Sequence, residues 1–452
     1  MLELPPEEMR RLGHRVVDRI VDHIESLDAL PPVRVGDAAA LRAALGGPPP
    51  EAPSDPDAAL DALFEQVLPF IQHGDHPRFF ARIGSPSNYV SVLADAAAAG
   101  LNVFAGSWTG GSGPATVELV VLDWLRELCG MPDGTDGVLV SGGSVASLVA
   151  LAAARTAVLG DRAPEEAVAY LGAEGHASVA RALRVLGLTG EQIRVLRNLA
   201  RADARAAVEA DLAAGRRPFC VAATAGTTST GAVDPLAELA DLCAEHGLWL
   251  HVDGAYGAPA VLTGAVSGLE RADSLVLDPH KWLFQPYEIG CVLVREPGLL
   301  ERTFALSGAY LRDATGGEVN FRDRSVQLTR GSRALKLWLS IRVFGLAAFR
   351  DAIAHGIALA EHAEAVLRAR PGWEVVSPAQ LAIVCFRRDG DDALQGRIAA
   401  AMAADGYALP STTELGGRAV LRLCTINPRT TFADVERTIE RMESLSESCA
   451  SL

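Results

Sequence analysis

The feature that most limits how this 452-residue chain can fold is an alternation that begins near Pro77. Short apolar runs at 137–140, 167–171, 219–223, 248–252, 274–277 and 290–294 are separated mostly by Ala- and Leu-rich stretches long enough to form helices. Short buried runs between helices predict βαβ units and a mostly parallel sheet covered on both faces, an α/β fold. In such sheets ligands gather at the carboxyl ends of the strands, so chemistry is to be sought just after each run.

The flanks read differently. Residues 6–27 carry Met9, Leu12, Val16, Ile20, Ile24 and Leu27 at helical spacing, an amphipathic helix ended by Pro31-Pro32. A Pro-rich linker (46–53) and a second helix (57–71) follow. An arm tethered this loosely needs a surface to lie on, its own domain or a partner subunit. Beyond the alternation, 333–370 predicts a long, broken helix. Strands at 373–376, 381–386 and 419–425 with helices at 392–404 and 432–445 then predict a small α+β domain. The expected division is therefore an N-terminal helical arm (1–76), a large domain (77–335) and a small domain (336–452).

A net charge of −15 argues against nucleic acid and anionic membrane as main partners. The uncharged stretch 96–117 is broken by glycines and a proline, a poor spanning helix. Seven scattered cysteines without a CxxC pair read as core thiols of a reducing compartment, and the first residues lack a signal-peptide pattern, so the expectation is cytoplasmic.

Five strand ends carry the chemistry. Ser141-Gly-Gly-Ser144 opens a helix and presents free N–H groups, suited to a phosphate or simply to tight packing. His176 heads the next helix, placed to stack on an aromatic group or to serve structure alone. The hydroxyl-rich loop 224–231 either lines a polar pocket or is a solvated turn. Asp253 ends a buried run, where a carboxylate needs a cation or a strong donor. Last comes Asp278-Pro-His-Lys281 with Trp282, Leu283 and Phe284 behind it. Apolar neighbours should depress the Lys281 pKa and favour the neutral amine that attacks an aldehyde; alternatively the lysine snorkels to water. Each item has a bland alternative, but their order along the chain fits the phosphate, ring nitrogen and aldehyde of pyridoxal phosphate.

With these residues in view the chain resembles the group II decarboxylases that use pyridoxal phosphate. The resemblance extends over nearly all of it, through His76-Pro-Arg-Phe-Phe-Ala81, His251-Val-Asp-Gly-Ala-Tyr256, Pro279-His-Lys-Trp-Leu283 and Ser332-Arg-Ala-Leu-Lys-Leu-Trp338. The fold it implies is fold type I. It implies that Lys281 forms the Schiff base, that Asp253 pairs with the pyridine nitrogen and that His176 stacks on the ring. Gly143 and Ser144 would hold the phosphate, with Ser85, Thr224, Ala255, Asp278 and His280 as further cofactor contacts. Asp278 stands where many relatives have Asn, and a carboxylate near a phosphate is repulsive unless it points away. On the substrate side Arg422 would grip the α-carboxylate. Trp108, Phe79 and Phe80, with Phe104 and Tyr89 near, would form an apolar pocket that leans toward an aromatic L-amino acid. A homodimer is implied.

The chain departs from the family pattern where a loop tyrosine usually returns the proton to Cα. Ungapped counting puts Phe321 there, and phenylalanine has no proton to give. Three readings stay open. Tyr310 does the job; His176 or water does it more slowly; or the carbanion meets dioxygen and yields an aldehyde, as in aldehyde-synthase members. A catalytically quiet homologue, or an enzyme that breaks another bond on the same scaffold, are the alternatives from other classes.

Overall fold

The computed structural model describes residues 3–160, 164–306 and 318–450. Its main sheet has seven strands: β1 Asp136–Val140, β2 Ala167–Gly172, β3 Ile193–Leu196, β4 Arg217–Thr224, β5 Trp249–Asp253, β6 Ser274–Leu277 and β7 Gly290–Val294. Their spatial order is β1-β7-β6-β5-β4-β2-β3. The pairings from β3 through β2, β4 and β5 to β6 are parallel, and β7 runs antiparallel to both β6 and β1. The mostly parallel α/β sheet is therefore as expected. All of β5 and β6 is buried, as is β4 after Arg217, which is why these runs were apolar throughout. The edge strand β3 was not anticipated, because only Ile193 in it is buried and Arg194 interrupts the apolar signal.

A second sheet follows, wholly antiparallel: β8 Trp373–Gln380, β9 Ile383–Arg388, β10 Ser411–Leu415 and β11 Arg418–Cys424, in the order β10-β11-β9-β8. It has its own core, with Phe80, Val384, Phe386, Leu421 and Leu423 at its centre. The other unanticipated strand, β10, is again an edge with no buried residue.

The helix Ala334–Arg368 joins the two sheets and lies on the helices Tyr89–Gly100 and Ser112–Leu128. It breaks at Gly345, whose φ of 73° only glycine adopts cheaply. The expected boundary at 335/336 falls at the head of this helix. In the N-terminal arm, the helix Pro6–Ser26 forms as read but has no buried residue. An unforeseen helix, Ala38–Leu45, is capped by the Asp37 side chain. The helix expected over 57–71 is shorter, Pro56–Ala62 with a π-helical turn Leu63–Val67 after it. Arg11, Arg15 and Arg19 hold it to the first helix through Asp57 and Asp61.

This framework decides the site by register. Thr224, Asp253 and Val276 are neighbours across β4, β5 and β6, so three strand ends finish side by side.

Candidate active site

At those strand ends lies a cavity of about 340 Å³. Its wall includes Gly143, Ser144, His176, Thr224, Asp253, Ala255, Asp278, His280 and Lys281. Nine residues singled out from the sequence therefore meet in one place. Thr228 of the hydroxyl-rich loop shares the wall, as do Ser178 and Tyr256, which the sequence reading did not single out.

The helix Gly143–Leu159 points its N-terminus at the cavity, and no side chain caps it. Its first N–H groups are thus available to an anion. Gly143 is required by close approach, since a Cβ there would lie 2.9 Å from Asp278 Oδ2 and 3.3 Å from the Ala255 Cβ. Asp253 is buried at the end of β5, and its Oδ1 accepts the Ala255 N–H at 3.1 Å. His176 caps the helix Ala177–Val185; its Nδ1 lies 2.7 Å from Ser178 Oγ, and the ring is exposed to the cavity mouth. A His-Ala-Ser cap was the signal that could have found Ser178.

Lys281 sits in a turn after Pro279. Behind it Trp282 is fully buried and stacks on Tyr256, with ring centroids 4.9 Å apart. The Tyr256 hydroxyl accepts the Ala382 N–H, which ties this wall to the second sheet. Lys281 Nζ lies 3.0 Å from Asp278 Oδ2. Burial pushes the lysine pKa down, as expected from its neighbours, but Asp278 and Asp253 outweigh burial and leave it raised. The expectation of a depressed value is corrected for this structure: the turn folds Asp278, three residues back, onto the lysine, and β5 brings Asp253 near. His280 donates to or accepts from nothing but backbone at Nδ1, 2.7 Å from the Ile289 carbonyl, and burial lowers its pKa. Asp278 does not point away from the glycine turn, and its Oδ1 has no partner among the described residues.

Other expected residues lie off the wall. Ser85 is buried with an unpartnered hydroxyl. Phe80 is a correction: it is fully buried in the core of the second sheet and has no face for a substrate. Phe79 is also buried and bridges to Leu409. Trp108 packs on the main core, and its backbone N–H donates to Asn320 Oδ1 at 3.0 Å. Arg422 is buried behind the hydroxyl loop. Its Nε donates to the Ser229 carbonyl and its Nη1 to the Arg82 carbonyl, leaving Nη2 without a partner. Phe321 is corrected as a catalytic residue within this chain. Its ring is buried in the main core, with the guanidinium groups of Arg330 and Arg324 over it at 5.2 and 5.8 Å. Tyr310 lies outside the described residues.

The arrangement fits pyridoxal phosphate: an uncapped helix N-terminus for phosphate, a buried carboxylate for the ring nitrogen, an exposed imidazole and one lysine. The family model for the pyridoxal-dependent decarboxylase conserved domain matches residues 44–389. An aromatic-L-amino-acid decarboxylase of Bacillus atrophaeus is 45% identical, over 99% of this chain and 97% of that protein. A phenylacetaldehyde synthase of Arabidopsis thaliana is 31% identical, over 93% of this chain and 92% of the relative. The solved structure of Oryza sativa TDC with PLP and tryptamine superposes with a TM-score of 0.93 at 28% identity, covering 99% of both chains. The chain belongs to the pyridoxal-dependent decarboxylase family and is a pyridoxal-phosphate-dependent amino-acid decarboxylase.

Proposed function

We propose that the substrate is an aromatic L-amino acid and that the product is the corresponding amine. The observation that carries this reading is the convergence of Lys281, Asp253, His176 and the Gly143 turn on one cavity, in a chain 45% identical end to end to an aromatic-L-amino-acid decarboxylase. Pyridoxal phosphate, when bound, supplies an aldehyde that captures the substrate amine and a ring that withdraws electrons as carbon dioxide departs. The chain supplies the rest. Lys281 holds the reactive amine, Asp253 balances positive charge at the ring nitrogen, and the N–H groups at Gly143 and Ser144 hold the phosphate. His176 covers the cavity. With Nδ1 engaged by Ser178, its Nε2 is the nitrogen left to move a proton.

The reading includes a homodimer. The helix Pro6–Ser26 presents Met9, Val17 and Val21 to solvent, and the break in the long helix presents Val343, Phe344 and Leu346. The helix Ala334–Arg368 is long and apolar enough to cross a membrane, but it packs along two helices and β8. A second copy over these faces accounts for them. The reading also includes the cytoplasm: all seven cysteines are buried and unpaired, as suits a reducing compartment.

The test supplies the purified, cofactor-loaded protein with phenylalanine, tyrosine, tryptophan and DOPA while carbon dioxide and oxygen are followed together. Carbon dioxide without oxygen uptake supports the amine. Oxygen consumed in step with carbon dioxide replaces the amine by an aldehyde, and no carbon dioxide from any of the four removes the aromatic substrate. Sedimentation of the same sample tests the dimer.

A further inference from the structure

The Lys281–Asp278 pair lines the cavity beside the uncapped helix N-terminus that suits a phosphate. Asp278 is 2% exposed, and one of its oxygens is 3.0 Å from Lys281 Nζ. The other, Oδ1, is buried without a partner. Both face glycine backbone: a Cβ at Gly143 would lie 2.9 Å from Oδ2, and one at Gly290 would lie 2.9 Å from Oδ1. The carboxylate thus occupies the wall beside the same helix N-terminus that suits the cofactor phosphate. An anion there repels a phosphate, and an ammonium on Lys281 is unreactive toward an aldehyde. Both obstacles involve the same proton.

We propose that Asp278 is a proton-accepting positioning residue for cofactor capture: as pyridoxal phosphate enters, the proton on Lys281 Nζ passes to Asp278 Oδ2. One N–H bond breaks and one O–H bond forms. No electrons are gained or lost, and the pair goes from ammonium and carboxylate to amine and carboxyl with no change in net charge. The amine is then nucleophilic. The carboxyl donates a hydrogen bond to the phosphate. The raised Lys281 pKa agrees with an ion pair before capture. Other groups around the pair are His280, with Nε2 3.7 Å from Asp278 Oδ2, Asp253 on β5, the Cys291 thiol on β7, Tyr287 and Lys336. Of the carboxylates among them, Asp253 and Asp278 are the two on the cavity wall.

This inference rests on the pyridoxal phosphate assignment. The experiment is an infrared difference spectrum of the whole enzyme, labelled with carbon-13 aspartate, with and without pyridoxal phosphate. The wild type should gain one protonated-carboxyl band on binding. The band should be missing in Asp278→Asn and should persist in Asp95→Asn, whose carboxylate pairs with Lys336 off the cavity wall. In Asp278→Glu the unlabelled carboxyl should lose the carbon-13 shift, which keeps the assignment testable if Asp278→Asn does not fold. No band in the wild type, a band that survives in Asp278→Asn, or a carbon-13 shift kept in Asp278→Glu each overturns the proposal. Failure of the wild type to bind pyridoxal phosphate at all would overturn both the proposal and the cofactor assignment.

Discussion

Two buried ion pairs in this molecule have opposite characters. Glu118 and Arg330 are both fully buried and meet through two bonds, 2.7 and 2.8 Å. Glu118 also accepts the Leu139 N–H, and Arg330 also donates to the Ala105 and Leu139 carbonyls. The pair clamps the helix Ser112–Leu128 and the segment after 318 to β1. Lys281 and Asp278 meet through one contact, with the lysine side chain 22% exposed and one carboxylate oxygen unpartnered. A pair with nearly every lone pair and donor engaged is a structural clamp, because breaking it strands a charge. A pair with a free oxygen and an exposed partner is able to change partners. The completeness of hydrogen bonding, more than burial, separates the two.

The comparison can be broken most directly at Lys281. Lys281→Met should abolish covalent cofactor attachment and lower decarboxylation by on the order of 10⁴-fold or more, while the denaturation midpoint of the cofactor-free protein moves little. A large loss of stability would make this pair a clamp as well. Glu118→Ala should do the reverse and cost about 3–5 kcal/mol in chemical denaturation. Replacing both partners, Glu118→Leu with Arg330→Met, should recover much of that loss, since no charge is then left unpaired.

The two pairs should also separate with pH. The Lys281 pKa is raised, so the stabilisation from its pair is fully present below the ordinary lysine value of 10.5 and is lost as pH climbs through the higher folded value. The small stability gap between wild type and Lys281→Met, measured without cofactor, should therefore stay constant at neutral pH and vanish in strong alkali. The gap for Glu118→Ala should stay open there, because a guanidinium keeps its proton. The smallest effect concerns Ser85. If its unpartnered hydroxyl finds its partner in the bound cofactor, Ser85→Ala should weaken pyridoxal phosphate binding roughly two- to tenfold. Unchanged affinity would make Ser85 a packing residue.

How much was legible depends on where each residue's surroundings come from. Six of the seven strands of the main sheet were readable, because residues buried on both faces must be apolar. The edges β3 and β10 were not, because half-exposed strands carry Arg194, Thr412 and Glu414 as readily as apolar residues. The strand-end candidates Gly143, His176, Thr224, Asp253 and Lys281 converged because parallel strands end on one side. Phe80 went astray because its direction is set by how the second sheet packs, and the same packing buries Arg422 behind the hydroxyl loop. Phe321 did so because its ring is buried in the main core with Arg324 and Arg330 over it.

The sequence by itself thus determined most of the main sheet, its helices and the strand ends that carry the candidate residues, since periodicity and strand ends are local properties of the chain. Only the folded structure decided how closely carboxylates approach Lys281. The apolar neighbours Trp282, Leu283 and Phe284 predicted a depressed pKa, whereas the turn after Pro279 brings Asp278 within 3.0 Å and β5 brings Asp253 alongside. Electrostatic interaction falls off with distance through space, and distance through space is what folding sets.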